Sequence, residues 1–240
     1  MKINLHCHTN YSDGDDIFEM AKEHQKQGFS AFVVTDHVYP LFPSDGYSRC
    51  ITSYEIFQHQ EHQLTQISTQ LNFPCIQGME LALWGEEVLV FGRDVSKKLF
   101  DFMENIDSNK YSYKDAYKQR IVPLLIQILK RNKETTAIIL CHPHLSPNND
   151  SVLKSLYPLL DGYEFQNHGH YCFTDQTNID EPRRRDRPVP PELQNKNKFY
   201  NSDAHRIRGV GLVGRGNFHN SKIENLEDLI NYIKTPQKQR

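Results

Sequence analysis

The chain has 240 residues, 24% of them charged and 38% hydrophobic, with a formal net charge of -2 and a pI near 6.6. That length is ordinary for one α/β barrel and suffices to bury a large core, so one domain over residues 1–240 is expected. The charge balance argues against a protein that coats nucleic acid or membrane, which would carry a clear excess of Lys and Arg.

The first apolar run predicts a strand over residues 2–6. Asp13, Gly14, Asp15 and Asp16 form a turn and N-cap, with acidic groups where a helix start favours them, and predict a helix over 16–27 that Gly28 ends. A strand over 31–35, a helix over 52–70, strands over 75–79 and 88–91, a helix over 114–130 and a strand over 137–140 follow. A short helix over 152–156, strands over 162–165 and 198–201 and a helix over 223–233 complete the series. Strands separated by helices predict a mostly parallel sheet with right-handed crossovers, and six or seven such units favour a closed barrel over a small open sheet. Residues 168–197 lack periodicity and carry Arg183, Arg184, Arg185 and Arg187 among prolines. A loop that long inside a compact domain is functional or disordered.

The five cysteines form no CxxC pair and are odd in number, which predicts reduced thiols and a cytoplasmic setting. The first residues have no apolar leader segment, and no stretch approaches the roughly 20 apolar residues of a membrane span.

Metal-ligand side chains gather at the predicted strand ends. His6 and His8 share a face of an extended segment, as do Asp203 and His205, because alternate side chains point the same way. Asp36 and His37 follow the second strand, Glu80 the third, and His142 and His144 flank Pro143 after a later one. Loops after successive strands build one pocket in a barrel or doubly wound sheet. An unpaired Glu80 at the end of an apolar strand would be costly to bury, and a metal ion would remove that cost. His168 and His170 repeat the spacing at a loop mouth, where substrate contact or no role precedes metal binding. His24, His59, His62 and His219 lack partners in the pattern and are expected to be solvated.

The ordered runs His6-Cys7-His8-Thr9-Asn10-Tyr11-Ser12-Asp13-Gly14, Thr35-Asp36-His37, Gly78-Met79-Glu80, Cys141-His142-Pro143 and Ser202-Asp203-Ala204-His205 resemble the polymerase and histidinol phosphatase (PHP) family over most of the chain. The resemblance implies an α/β fold, a distorted seven-stranded (β/α) TIM-like barrel of PHP type, with two or three divalent transition metal ions at its strand ends. It implies that His6, His8, Glu80 and Asp203 hold one ion, that Glu80 bridges to a second held by His142, and that Asp13, His37 and His205 serve a third shared with Asp203. Where many relatives carry a His after the bridging Glu, this chain offers Glu87, either a carboxylate substitute or a solvated turn residue.

Imidazole and carboxylate donors without thiolate suit Zn, Mn or Fe. Ions about 3.5 to 4 Å apart can share a hydroxide and clamp both oxygens of an in-line displacement at phosphorus, which is phosphoester hydrolysis. His144 and His168 are the expected proton donors beside the Glu80 bridge, and Arg183, Arg185 or Arg206 the expected contacts for phosphate oxygens. Tyr47, Arg49 and Trp84 could shape the substrate face. A small phosphomonoester or nucleotide is favoured over long nucleic acid. The rival readings are a catalytically weak metal-binding module of the same fold and a metal-dependent C–N hydrolase, for which no strand-end Lys is evident. Oligomeric state is not legible.

Overall fold

The computed structural model describes residues 1–39, 50–83, 86–106, 117–142, 154–167, 170–171, 189–210, 217–218 and 222–236. In chain order the strands are β1 (Lys2–Ile3), β2 (Phe32–Val34), β3 (His37–Val38), β4 (Cys75–Gln77), β5 (Met79–Ala82), β6 (Glu87–Phe91), β7 (Ala137–Leu140), β8 (Gly162–Asn167), β9 (His170–Tyr171), β10 (Asn197–Asn201) and β11 (Asn217–Phe218). The α-helices are α1 (Ile17–Lys26), α2 (Tyr54–Leu71), α3 (Arg93–Glu104), α4 (Val122–Arg131) and α5 (Leu226–Lys234).

Seven strands form one mixed sheet in the order β10-β8-β7-β6-β5-β3, with β9 antiparallel to β8; β1 pairs with β11 and β2 with β4. Among the described residues these sheets do not close into a ring. The expected mostly parallel sheet is corrected as well, because β6 runs antiparallel to both β5 and β7. Only a four-residue stretch separates β5 from β6, too short for the crossover that parallel strands require.

Helix starts follow the sequence closely. The Asp16 side chain accepts from the backbone N–H groups of Phe18 and Glu19 and caps α1, while Ser53 caps α2 through Ile56 N. Gly28, at φ 75°, takes the left-handed conformation that turns the chain after α1. Helix α3 was not expected; Val95, Ser96, Leu99 and Phe100 form its buried stripe at the i, i+4 spacing of a helix. The expected helix over 114–130 is shorter as an α-helix: a π turn covers Tyr117–Ile121, and Pro123 sits in the first turn of α4. Proline has no N–H to donate to an upstream carbonyl, so a new helix starts there.

The core divides into a large cluster between the mixed sheet and α2, α3 and α4, and two smaller ones under α1 and α5. In the first segment Ile3, Leu5 and Cys7 enter these clusters and leave Asn4, His6 and His8 as the alternate, polar set. Among the described cysteines, Cys7, Cys50, Cys75 and Cys141 are free thiols. No helix of the described residues is long and apolar enough to cross a membrane.

His24, expected in solvent, is fully buried against Phe29 and Phe32. Its Nδ1 donates to Met20 O at 2.8 Å, and its Nε2 lies 3.4 Å from Asn4 Nδ2, so the neutral ring is the one that fits. Burial holds its pKa down at about 4, with Lys2 adding to the effect. The unfolded chain binds this proton near pH 6.5 and the folded one only near 4, so the stability it contributes is intact above pH 6.5 and is lost as pH falls to 4. The loss amounts to about 3 kcal/mol. Urea unfolding at pH 7.0 and 4.5 should show His24→Gln losing correspondingly less over that interval than the native chain; equal losses would show that His24 does not carry the effect.

Candidate metal centre

Strand register assembles the centre. In the parallel β3–β5 pair His37 stands opposite Glu80, and Nδ1 of His37 lies 2.6 Å from Glu80 Oε2. The antiparallel β6 begins at Glu87, whose carbonyl accepts from Cys141 N, and this brings His142 to the same end of the sheet. Nε2 of His142 is 2.9 Å from Glu80 Oε1 and 3.3 Å from Glu87 Oε2. From the first segment, Nε2 of His6 lies 3.2 Å from Glu80 Oε1, and Nε2 of His8 lies 3.4 Å from Glu80 Oε2.

The last donors arrive from β10. Cys7 forms an isolated parallel bridge with Ala204, and His8 N donates to Ala204 O, so the segment 203–205 lies against 6–8. Asp203 Oδ1 is then 3.3 Å from His6 Nε2 and 3.1 Å from His8 Nε2. Asp203 holds a left-handed φ of 51°, a conformation costly for a residue with a Cβ that recurs at functional sites. Asp13 Oδ1 lies 3.3 Å from His205 Nε2 and 3.7 Å from His37 Nε2, and the His8 and His205 rings stack with centroids 4.1 Å apart.

The donor atoms fit cations. They fall into overlapping sets: His6, His8 and Asp203; His6, Glu80, Cys141 and His142; His37, Glu80 and Glu87; His8, Asp13, His37 and His205. Buried Glu80 Oε2 and Asp203 Oδ1 accept no aligned hydrogen bond despite the ring nitrogens around them. His6 Nε2 and His8 Nε2 face each other at 3.1 Å, an approach that suits two lone pairs directed at one ion. Burial alone would lower the imidazoles of His37 and His142, but Glu80 outweighs it and raises each to about 9. Glu80 is held well below the carboxylate range against its own burial, through His6 and His37. Protons thus balance a negative charge that a cation would balance in their place. Burial pushes the Cys141 thiol well up, which disfavours thiolate ligation.

The expected donors His6, His8, Asp13, His37, Glu80, Glu87, His142, Asp203 and His205 therefore converge in space. Glu87 faces the cluster; its pKa is raised by burial and by Glu80, and Tyr39 Oη lies 3.3 Å from its Oε1. His144, His168, Arg183 and Arg185, with Tyr47, Arg49 and Trp84, lie outside the described residues. Arg206 is bound to Asp15, Nη1 to Oδ1 at 2.9 Å, beside an open surface hollow of about 490 Å³ that Lys26 and Arg208 also line.

Three buried acids were not singled out as site residues from sequence. Asp36 accepts from Thr9 N, Thr9 Oγ1, Ser12 Oγ and Gln60 Nε2 and so anchors the turn that carries Asp13. Glu86 is buried, and burial raises its pKa to about 8. Glu164 meets His6 Nδ1. Asp36 stands at a strand end beside His37, where the pattern gives it no separate role; Glu86 and Glu164 follow neither the HxH nor the strand-end pattern, and their only sequence signal is an acid inside or beside an apolar run.

Gly14 completes the turn, where an added Cβ would lie 2.4 Å from the carbonyl carbon and oxygen of His8. Gly14→Ala must displace this backbone, at a cost of about 1 to 3 kcal/mol, and should weaken Zn²⁺ binding in a chelator competition. Wild-type stability and affinity in that variant would show that the turn adapts.

Neither a family model nor a curated protein matches the chain. Among solved structures it is similar to a two-domain protein of Bacteroides vulgatus ATCC 8482 that contains a predicted PHP-like metal-dependent phosphoesterase, at 18% identity and a TM-score of 0.50. That match covers 87% of this chain but 53% of the other, so the chain spans about half of that protein's length. It is also similar to a proposed metal-dependent phosphoesterase of Bifidobacterium adolescentis ATCC 15703, at 13% identity and a TM-score of 0.47, over 97% of this chain and 96% of the other. At these identities the likeness to the first structure is one of fold.

Proposed function

We propose that the chain is a PHP-family metal-dependent phosphoesterase, its distorted seven-stranded (β/α) barrel spanning residues 1–240. The observation that carries this reading is the convergence of nine imidazole and carboxylate side chains from separated segments, with buried carboxylate oxygens lacking aligned donors. A binding scaffold needs no such density of acids and imidazoles in one buried place.

His6, His8 and Asp203 would hold one ion, with Glu80 reaching both this position and that of His142 and Glu87; Asp13, His37 and His205 would serve a third. Two or three ions of Zn, Mn or Fe would supply the charge that activates water near neutral pH and offsets the phosphoryl oxygens. The chain's own part begins with orientation: Asp36 holds the turn of Asp13, and the β3–β5 register holds His37 against Glu80. His144 or His168 would hand a proton to the leaving oxygen, and Arg183, Arg185 or Arg206 would meet phosphate oxygens away from the ions. A small phosphomonoester or nucleotide suits a chain without basic excess better than long nucleic acid. A cytoplasmic setting is part of the same reading and rests on an odd cysteine count without CxxC pairs.

The test is a panel of small phosphomonoesters, nucleotides and short single strands, offered to protein of known metal content. Hydrolysis of a phosphomonoester or nucleotide that chelation abolishes is the expected outcome. An inert panel with metal firmly bound would replace this reading with that of a binding module. Chelation should also lower the melting temperature, because ions that bind only the folded chain stabilise it by mass action. An unchanged melting temperature on removal of bound metal would contradict a site at these residues.

A further inference from the structure

Glu164 is a fully buried carboxylate in β8, and all of its partners donate to it. Its Oε1 lies 2.8 Å from His6 Nδ1 and accepts from Asn201 Nδ2 at 2.9 Å; its Oε2 accepts from His142 N at 2.8 Å and Asn167 Nδ2 at 2.6 Å. We infer that Glu164 is the positioning residue of the metal centre, fixing His6 with its proton on Nδ1 and its Nε2 lone pair toward the ions while it anchors the backbone of His142. The inference rests on the metal-binding reading of the site.

The geometry separates this role from ordinary core packing. A carboxylate at Nδ1 selects one tautomer of a neutral ring and one ring orientation, and makes the remaining nitrogen a stronger donor to a cation. The same carboxylate reaches His142 by the main chain, so it sets where that residue leaves β7. His6 belongs with His8 and Asp203, and His142 with Glu80 and Glu87, so one acid registers donors of two neighbouring positions. Four donors from four segments converge on it, and a glutamine cannot satisfy them: its NH₂ would confront two N–H groups whichever way the amide turned.

The test compares Zn²⁺ affinity, by competition with a chromophoric chelator, in the native chain, Glu164→Gln, Asn167→Ala and His6→Ala. Asn167→Ala removes a partner of the same carboxylate but leaves the His6 contact, and so serves as a control for stability. Glu164→Gln should bind about 10- to 100-fold more weakly. Its Co²⁺ form should show an altered visible spectrum, with Asn167→Ala close to native in both measurements. Equal affinity and spectrum in Glu164→Gln, with His6→Ala impaired, would overturn the positioning role alone. Equal binding in the native chain and His6→Ala would overturn the metal reading and this inference with it. Should Glu164→Gln fail to fold, ¹¹³Cd-loaded, ¹⁵N-labelled native protein decides: coupling to His6 Nε2 with the proton kept on Nδ1 is expected, and coordination through Nδ1 would refute the inference.

Discussion

Glu80→Gln is expected to lower phosphomonoester turnover about 100- to 1000-fold, the scale on which one preorganised electrostatic group contributes to a reaction. It is also expected to reduce the metal retained per chain. Glu80 stands between His37 of β3 and Leu89 of β6 in the sheet, and its two oxygens lie within 3.4 Å of ring nitrogens of His6, His8, His37 and His142. Glutamine keeps the shape but removes the charge and replaces one oxygen by a donor that would confront those nitrogens. The measurements are kcat/KM on a small phosphomonoester and elemental analysis of the purified variant, with circular dichroism to confirm folding. A folded variant with native metal content and turnover would remove Glu80 from the centre.

Asp36→Ala carries the second large effect, and it is one of stability. The buried carboxylate receives two bonds from Thr9, one from Ser12 and one from Gln60, and alanine would strand those donors without water. Hydrogen bonds to a charged group contribute about 1.5 to 3 kcal/mol each, and neighbours relax in part, so a net loss of about 3 to 5 kcal/mol is expected in urea unfolding. Asp36→Asn should recover part of it by keeping one acceptor oxygen. A loss below about 1 kcal/mol for alanine would show that the turn finds other partners.

The parts of the fold that were legible are those governed by local chemistry. The Asp16 cap, the turn at Gly28 and the apolar runs of β2, β6 and β7 announce themselves within a few residues. Strand direction is not local, and β6 is the instructive case. Reversal of this one strand presents Glu87 at its beginning, so a rule that seeks donors after strand ends treats that residue as a turn. Glu80 likewise lies within β5 and not beyond it. For α3, Lys97 and Lys98 between Val95 and Phe100 dilute an apolar stripe that only the packed helix displays. Among the histidines, spacing and place at a strand end distinguish His6, His8 and His205 from His24, but they cannot show that His24 is enclosed by Phe29 and Phe32. Asp36 belongs to the run Thr35-Asp36-His37, yet its four donors come from positions up to 27 residues away, beyond the reach of any periodicity.

The bridge between Cys7 and Ala204 has a consequence for how the molecule is made. Leu5 N donates to Asn201 Oδ1, Asn4 Nδ2 to Ser202 Oγ and Ser202 N to Asn4 Oδ1, contacts that span nearly 200 positions of chain. Closing so wide a loop is slow, and the units around α1, β2 and α2 can consolidate well before it. A nascent polypeptide still short of His205 would therefore lack a complete ligand cage, whatever helices it had already formed. Tight metal capture would then require the segment through His205 to be made and closed onto the first residues, and so would report long-range closure rather than helix formation.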